Sequence, residues 1–406
     1  MSDQWLPVAD ALATIQRQIE PLHETETVAL HDALDRIIAT PVHAGIDVPG
    51  YDNSAMDGYA LRAAEATTDT PLKVVGSALA GHPYTGDLPP QSCVRITTGA
   101  KMPAGCDAVI MQEQVQRTDS TIYCQSTVRP NDNVRLQGSD IREGAVILSR
   151  GQRLTPIHIG LLASLGKAEV EVFRRLRVAL FSNGDELVLP GEELQAESQL
   201  YDSNRFTLHA MLQRLGVEVL DLGLIADDRD ALEHAFQQAM RSADVIISSA
   251  GVSVGDADYT KEIMAKLGQI GFWKIAMKPG KPFAFGRLDE SWFCGLPGNP
   301  VAALVTMDQI VQPMLRRLAG EHSAQPLQFQ ARASTSIRKK PGRMDFQRGR
   351  FTQRDGELWA EPAGSQSSAV LTSVAKANCF LLLEQDRDTI ETGEIITIQP
   401  FDSLLT

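Results

Sequence analysis

Between about residues 176 and 320, short apolar runs alternate with stretches of helical spacing, and no other feature limits the fold of this chain as strongly. Val178-Ala-Leu-Phe, Val217-Glu-Val-Leu-Asp-Leu and Asp244-Val-Ile-Ile-Ser each read as a buried strand. Residues 203–215 and 229–241 carry apolar side chains three and four apart and read as helices. A strand–helix–strand unit repeated in this way closes through right-handed crossovers, so a doubly wound parallel sheet is expected. Ligands of such a sheet bind outside the carboxyl ends of its strands, where backbone N–H groups and helix N-termini converge.

The flanking segments follow other patterns. Residues 7–20 place Val8, Leu12, Ile15 and Ile19 on one helical face, and Pro21 stops the helix. A second short helix is expected over residues 30–39. From about 45 to 140, β-prone runs punctuated by Gly and Pro (Leu72-Lys-Val-Val, Val94-Arg-Ile-Thr, Asp107-Ala-Val-Ile-Met) indicate a small all-β module. After about 325, alternating runs return at 346–351, at Cys379-Phe-Leu-Leu-Leu and at Ile395-Ile-Thr-Ile, indicating a second one. A chain of 406 residues has length for two to four domains at roughly 150 residues each. The expected class is therefore multidomain α/β plus β.

With 51 acidic and 38 basic residues the net charge is −13, which disfavours nonspecific binding to nucleic acid or to a membrane surface. An anionic ligand then needs a local basic patch. No apolar run approaches the roughly 20 residues of a membrane span, and Met1-Ser-Asp-Gln-Trp-Leu-Pro lacks the basic and apolar regions of an export signal. Cys93, Cys106, Cys124, Cys294 and Cys379 are odd in number and contain no C-x-x-C, so reduced thiols and a cytoplasmic location are expected. The histidines show no metal-ligand spacing.

Four glycine-bearing loops follow strand-like runs and are expected on one sheet edge: Asn183-Gly-Asp-Glu, Ser249-Ala-Gly-Val-Ser-Val-Gly-Asp-Ala-Asp258, Lys278-Pro-Gly-Lys-Pro282 and Pro297-Gly-Asn-Pro300. Gly251, Ser253 and Gly255 suit a backbone that approaches an oxyanion, and an ordinary βα turn fits them equally well. No G-x-G-x-x-G fingerprint is present. Lys274, Lys278 and Lys281 crowd one strand end. Residues 271–288 hold four cations, with Arg287, and no acid, so a phosphate or other tetrahedral oxyanion is expected there. Asp185, Glu186, Asp227, Asp228, Asp256 and Asp258 lie on neighbouring loops, and hard oxygens beside a phosphate are what Mg²⁺ takes. One of Asp227 and Asp228 is expected to cap the next helix. Residues 338–354 carry seven cations against Asp345 and are expected to form a solvated hairpin face rather than extend the anion site. Sparse aromatic residues give base stacking little support. The residues thus suggest an Mg²⁺-assisted transferase or hydrolase for a small phosphorylated, nucleotide-like ligand.

Five stretches carry a further signal: Pro49-Gly-Tyr-Asp-Asn-Ser-Ala-Met-Asp-Gly-Tyr-Ala60, Arg95-Ile-Thr-Thr-Gly-Ala100 with Pro103-Ala-Gly-Cys-Asp-Ala-Val109, Ser253-Val-Gly-Asp-Ala-Asp258, Met277-Lys-Pro-Gly-Lys-Pro282 and Leu296-Pro-Gly-Asn-Pro300. In order, spacing and length they resemble the molybdopterin molybdenumtransferase (MoeA) family, over essentially the whole chain. The resemblance implies an elongated, four-domain homodimer. Residues 1–44 with 141–175 would form an N-terminal domain, 45–140 an inserted β domain, 176–322 the molybdopterin-binding α/β domain and 323–406 a C-terminal β-barrel. The implied reaction is Mg²⁺-dependent insertion of molybdate into adenylylated molybdopterin, with release of AMP.

Position by position, the resemblance puts Asp258, Asp227 and Glu186 around Mg²⁺, and Asp258, Glu186, Asp57, Lys278 and Lys281 in catalysis. Gly251, Ser253, Arg343 and Ser367 would contact molybdate and substrate together with the two lysines. Lys274, Asp185, Asn204, Pro297, Gly298, Asn299 and Pro300 would hold the pterin or its phosphate. Asp57, Thr98 and Asp140 would complete the cleft from the partner subunit. Implied partners are small-molecule substrates, a second copy of the chain and, transiently, other molybdenum-cofactor synthesis enzymes; nucleic acid and membrane are not implied. Ala250 stands where family members usually have Gly, Ala302 where they often have Ser, and Ala369 and Cys379 where they often have Gly, so altered molybdate affinity is expected. A molybdopterin adenylyltransferase would resemble residues 176–322 alone, and a noncatalytic molybdopterin-binding scaffold would carry a long linker and an extra domain.

Overall fold

The computed structural model describes residues 5–249, 263, 266–322, 325–402 and 404–405. Helix Val8–Gln18 buries Val8, Ala11 and Ile15, and with Ile19 these join the core of the α/β unit. The second expected helix is a single 3-10 turn, Leu30–Asp32. Asp35 adopts a left-handed φ of 62°, and Ile37 and Ile38 bridge to Arg153 and Val172, so β pairing replaces helix there. Strand Thr25–Ala29 pairs with Glu169–Phe173, and Val42–His43 with Val146–Leu148. The chain therefore returns to its starting unit after passing through the β module. That module is a six-stranded sheet ordered Ala108–Met111, Gly58–Leu61, Ser92–Ile96, Leu72–Ala78, Thr121–Cys124, Val115–Thr118.

The α/β unit contains a six-stranded sheet ordered Glu218–Ile225, Arg177–Asn183, Val245–Ser249, Ser291–Leu296, Pro282–Leu288, Gly268–Lys274. It is doubly wound: helix Asn204–Leu215 packs Leu208, Met211 and Leu212 against Val178, Leu180, Val245 and Ile247, whereas helix Arg229–Ser242 packs Leu232 and Phe236 against Ala179, Phe181 and Ile246 on the other face. The sheet is not wholly parallel. Pro282–Leu288 pairs antiparallel with both of its neighbours; on one side the two-residue connection Asp289-Glu290, with Asp289 at φ 52°, turns the chain directly back into Ser291–Leu296. Two antiparallel steps restore the direction, so Gly268–Lys274 runs with the four parallel strands and its carboxyl end shares their edge. The strand order reverses between Arg177–Asn183 and Val245–Ser249, and that switch point opens the crevice in which ligands of open α/β sheets bind.

The C-terminal strands close a barrel: Met344–Arg354, Glu357–Pro362, Phe329–Ala333, Ile395–Pro400 and Cys379–Leu383, with the last pairing back to the first. Met277–Lys278 adds to this barrel in parallel with Met344 and Asp345, so the lysine loop of the α/β unit is stitched to barrel residues. Phe346, Phe380 and Leu382 of the barrel share one core with the α/β sheet. No helix among the described residues is long and apolar enough to cross a membrane.

Candidate functional site

The switch-point crevice is built from the end of strand Arg177–Asn183 outward. Ser182 Oγ donates to Asp202 Oδ1 at 3.2 Å, and buried Asp202 pairs with Arg205 at 3.0 Å, which anchors the first turn of helix Asn204–Leu215. Asn204 then donates from Nδ2 to Ser249 Oγ at 2.9 Å and to the Gly298 carbonyl at 2.8 Å. One amide thus ties the end of the central strand to the Pro297–Pro300 turn. Oδ1 of Asn204 and Oδ1 of Asn183, at the end of the neighbouring strand, are buried acceptors with no hydrogen-bond partner among the described residues. A buried acceptor left unmade costs roughly 1–3 kcal/mol, and it suits a ligand that brings N–H or O–H donors.

The barrel reaches the same turn. Ser368 O accepts from Val301 N at 3.0 Å, so the loop that carries Ser367 lies against the start of helix Pro300–Thr306. Arg348 holds that loop: it is 1% exposed and donates to the carbonyls of Ser365 (3.3 Å) and Ser367 (3.2 Å). Burial pushes its guanidinium down to about 10. Lys339 is also buried, and Nζ donates to the carbonyls of Lys340, Gln385 and Arg387. Residues 338–354 are therefore solvated only in part: Arg338, Lys340, Arg350 and Arg354 are exposed, as expected, whereas Lys339 and Arg348 are buried. The strand is buried without a break over residues 345–349, and two of the cations, Lys339 and Arg348, are consumed as donors to carbonyls.

Around the lysine loop, Lys278 Nζ lies 3.4 Å from Asp345, which is 3% exposed. Lys281 Nζ sits 4.7 Å from the ring centre of Trp5, and the Arg343 guanidinium carbon 5.1 Å from the same ring. Lys278, Lys281 and Arg343 are thus gathered at the junction of sheet and barrel. Lys274 ends its strand nearby, with an exposed side chain.

The acidic residues lie along the same edge. Asp185 and Glu186 are exposed beside Gly184, and Asp185 Oδ1 accepts from Asp227 N at 3.3 Å, which joins the two acidic loops. Asp228 is the helix cap, accepting from Asp230 N and Ala231 N, as expected of one of these two carboxylates. Gly251, Ser253, Asp258 and the Ala250 departure lie outside the described residues. Among the described residues no three Asp, Glu, His or Cys side chains converge on one point. Exposed carboxylates with no thiol or imidazole beside them are hard donors, and they fit Mg²⁺, which takes one or two carboxylates and keeps several waters.

Asp57 and Thr98 meet on the β module: Asp57 Oδ1 accepts from Thr98 N at 2.7 Å and from Thr98 Oγ1 at 3.0 Å, and these two bonds hold its carboxyl below the ordinary range. Asp140 is exposed, and its amide donates to Val48 O. No hydrogen bond or ion pair among the described residues links Asp57, Thr98 or Asp140 to the α/β edge. The five thiols are free, and burial raises those of Cys93, Cys106 and Cys379 to about 12, so none is poised as a nucleophile. Trp5, Asp345, Arg348 and Asn183 were not singled out by sequence reasoning. Asp345, the one acid in a basic run, and Arg348, in phase with inward-facing Phe346, carried a readable signal; Trp5 carried none.

Three family profiles cover nearly the entire chain: "MoeA N-terminal region (domain I and II)" over residues 6–166, "Probable molybdopterin binding domain" over 179–317 and "MoeA C-terminal region (domain IV)" over 330–401. The chain is 48% identical over 385 residues to a molybdopterin molybdenumtransferase of Haemophilus influenzae, covering 94% of this chain and 95% of that protein. This chain belongs to the molybdopterin molybdenumtransferase family. It is accordingly a transferase of molybdenum-cofactor biosynthesis. A family member from Bacillus subtilis is 32% identical over 97% of this chain and 93% of its own. Two crystal structures of the molybdopterin biosynthesis MoeA protein of Pyrococcus horikoshii superpose with TM-scores of 0.80 and 0.85, at 31% and 25% identity, each covering 98% of this chain and all of the other.

Proposed function

We propose that this molybdenumtransferase inserts molybdate into adenylylated molybdopterin in an Mg²⁺-dependent reaction that releases AMP. The observation that carries this reading is the convergence of Lys278, Lys281 and Arg343 where sheet meets barrel, on the same edge as the Asn204–Gly298 turn and the Asp185–Asp227 loops. Hydrolysis of a pyrophosphate develops negative charge on bridging and nonbridging oxygens, and fixed cations in a cleft stabilise it better than reorganising water does. Lys278 and Lys281 serve the anionic oxygens, Arg343 the tetrahedral oxyanion, and the buried acceptors of Asn183 and Asn204 the donor edge of the pterin. Glu186 and Asp227, with Asp258, would hold Mg²⁺, which supplies Lewis-acid stabilisation of the phosphoryl oxygens when bound.

Asp57 and Thr98 are presented by the β module, with no hydrogen bond or ion pair to the α/β edge among the described residues, which supports a homodimer whose cleft is completed by the partner subunit. We place the protein in the cytoplasm on its five uncombined thiols, four of them buried, with other cofactor-synthesis enzymes as transient partners. The four-domain division given above, with a discontinuous first domain, is supported by the pairing of Thr25–Ala29 with Glu169–Phe173. The test is conversion in vitro: purified protein, adenylylated molybdopterin, Mg²⁺ and micromolar molybdate, with AMP release and cofactor formation followed beside Glu186→Gln and Asp258→Ala. AMP release that depends on molybdate and collapses in both variants is expected. Tight pterin binding without turnover would overturn the reading in favour of a scaffold.

A further inference from the structure

Residues 5–7 lie against the cationic junction. Leu6 N donates to Lys274 O at 2.9 Å and Ala276 N to Leu6 O at 2.7 Å, so residues 5–7 run as an added strand along 274–276. On the same stretch, Met344 N donates to Ala276 O at 2.8 Å, which brings the start of the long barrel strand alongside. Trp5 is thereby held between the two units, and its indole receives Lys281 from the α/β unit at 4.7 Å and Arg343 from the barrel at 5.1 Å. Neither cation has an ion-pair partner among the described residues, unlike Lys278, which leans on Asp345. Sharing one ring keeps their charges within about 10 Å of each other, near the Debye length at 0.1 M salt, so they repel. The negative ring face offsets part of that repulsion while leaving the hydrogen-bond donors of both groups open. A carboxylate in the same place would consume those donors and cancel the charge.

We propose that Trp5 is a positioning residue that gathers Lys281 and Arg343, from two different units, into one binding site for a tetrahedral oxyanion. The inference rests on the oxyanion reading of this cluster and adds to it a residue outside every stretch that carries the family resemblance. The indole acts by cation–π contact, so an aromatic replacement preserves its role in part and an aliphatic one of similar bulk does not.

The test uses the full-length protein and molybdate itself as probe, with binding followed by equilibrium dialysis at low and moderate salt for wild type, Trp5→Phe, Trp5→Leu and Lys281→Gln/Arg343→Gln. Unchanged thermal midpoints establish that the variants fold. Trp5→Leu is expected to bind about fivefold to thirtyfold more weakly, as two lost cation–π contacts imply, and Trp5→Phe to stay within about threefold of wild type. In turnover the loss should fall on KM for molybdate, with kcat retained. Molybdate should also quench the indole fluorescence of the wild type more than that of Trp5→Phe. Equal weakening by Phe and Leu would overturn the proposal in favour of simple packing, as would wild-type binding by Trp5→Leu. If the doubly neutralised variant binds like wild type, the oxyanion reading falls and the role of Trp5 falls with it; if that variant alone loses binding, only the role of Trp5 falls.

Discussion

Asp308 lies in a five-residue π-turn, Met307–Val311, that interrupts the helical run between Pro300 and Leu318. It is 5% exposed, and burial, reinforced by nearby Asp402, carries its carboxyl up to about 7 against the partial relief of a hydrogen bond from Gln309 and the charge of Arg316. The folded protein keeps this proton where the unfolded chain has released it. Stability attributable to Asp308 is therefore fully present below about pH 4 and is lost as pH rises through 7. Raising a carboxyl from its ordinary 3.8 to about 7 corresponds to about 4 kcal/mol. Asp308→Asn mimics the protonated group at every pH. Its thermal midpoint should nearly match wild type at pH 4.5 and exceed it by roughly 10 °C at pH 8, taking about 2–4 °C per kcal/mol for a unit of this size. Circular-dichroism melts of both proteins across that range test the reasoning. A pH-independent offset, or a variant less stable at pH 8, would refute it.

Other outcomes follow from the same geometry. Gly280 has φ +107°, and a Cβ there would stand 2.5 Å from Thr306 Oγ1, so Gly280→Ala should displace the Lys278–Lys281 loop, lower the melting point and raise KM for molybdate, measured by melts and steady-state kinetics. Thr306 Oγ1 is buried without a partner among the described residues, so Thr306→Val should be neutral or stabilising by about 1 kcal/mol in denaturant titration, and destabilisation would show that the hydroxyl is bonded. Asn204→Ala removes two hydrogen bonds that tie Ser249 to the Gly298 turn, and molybdopterin binding should weaken about tenfold or more by isothermal titration.

The α/β unit was legible in the sequence because a strand buried on both faces must be continuously apolar, and Val178-Ala-Leu-Phe and Asp244-Val-Ile-Ile-Ser contain nothing else in their centres. The direction of Pro282–Leu288 was not, since period-two burial is the same in parallel and antiparallel pairing. Residues 30–39 were misread because apolar spacing alone does not reveal the bridges from Ile37 and Ile38 to distant strands. The lysine loop was found by its local charge excess. The buried state of Lys339 and Arg348 was missed because a run of cations reads as solvated until its carbonyl partners are known.

The sequence by itself determined most element types, the family and which loops carry cations and carboxylates, because periodicity, glycine placement and charge are properties of consecutive residues. Tertiary structure decided which of those groups meet. Lys281 and Arg343 are 62 positions apart, and Trp5 precedes both by more than 270. They share one ring because the chain's first strand-like residues, the sheet edge and a barrel strand hydrogen-bond to a single stretch, 274–276. That coincidence depends on backbone pairing across the whole fold, and no local pattern records it.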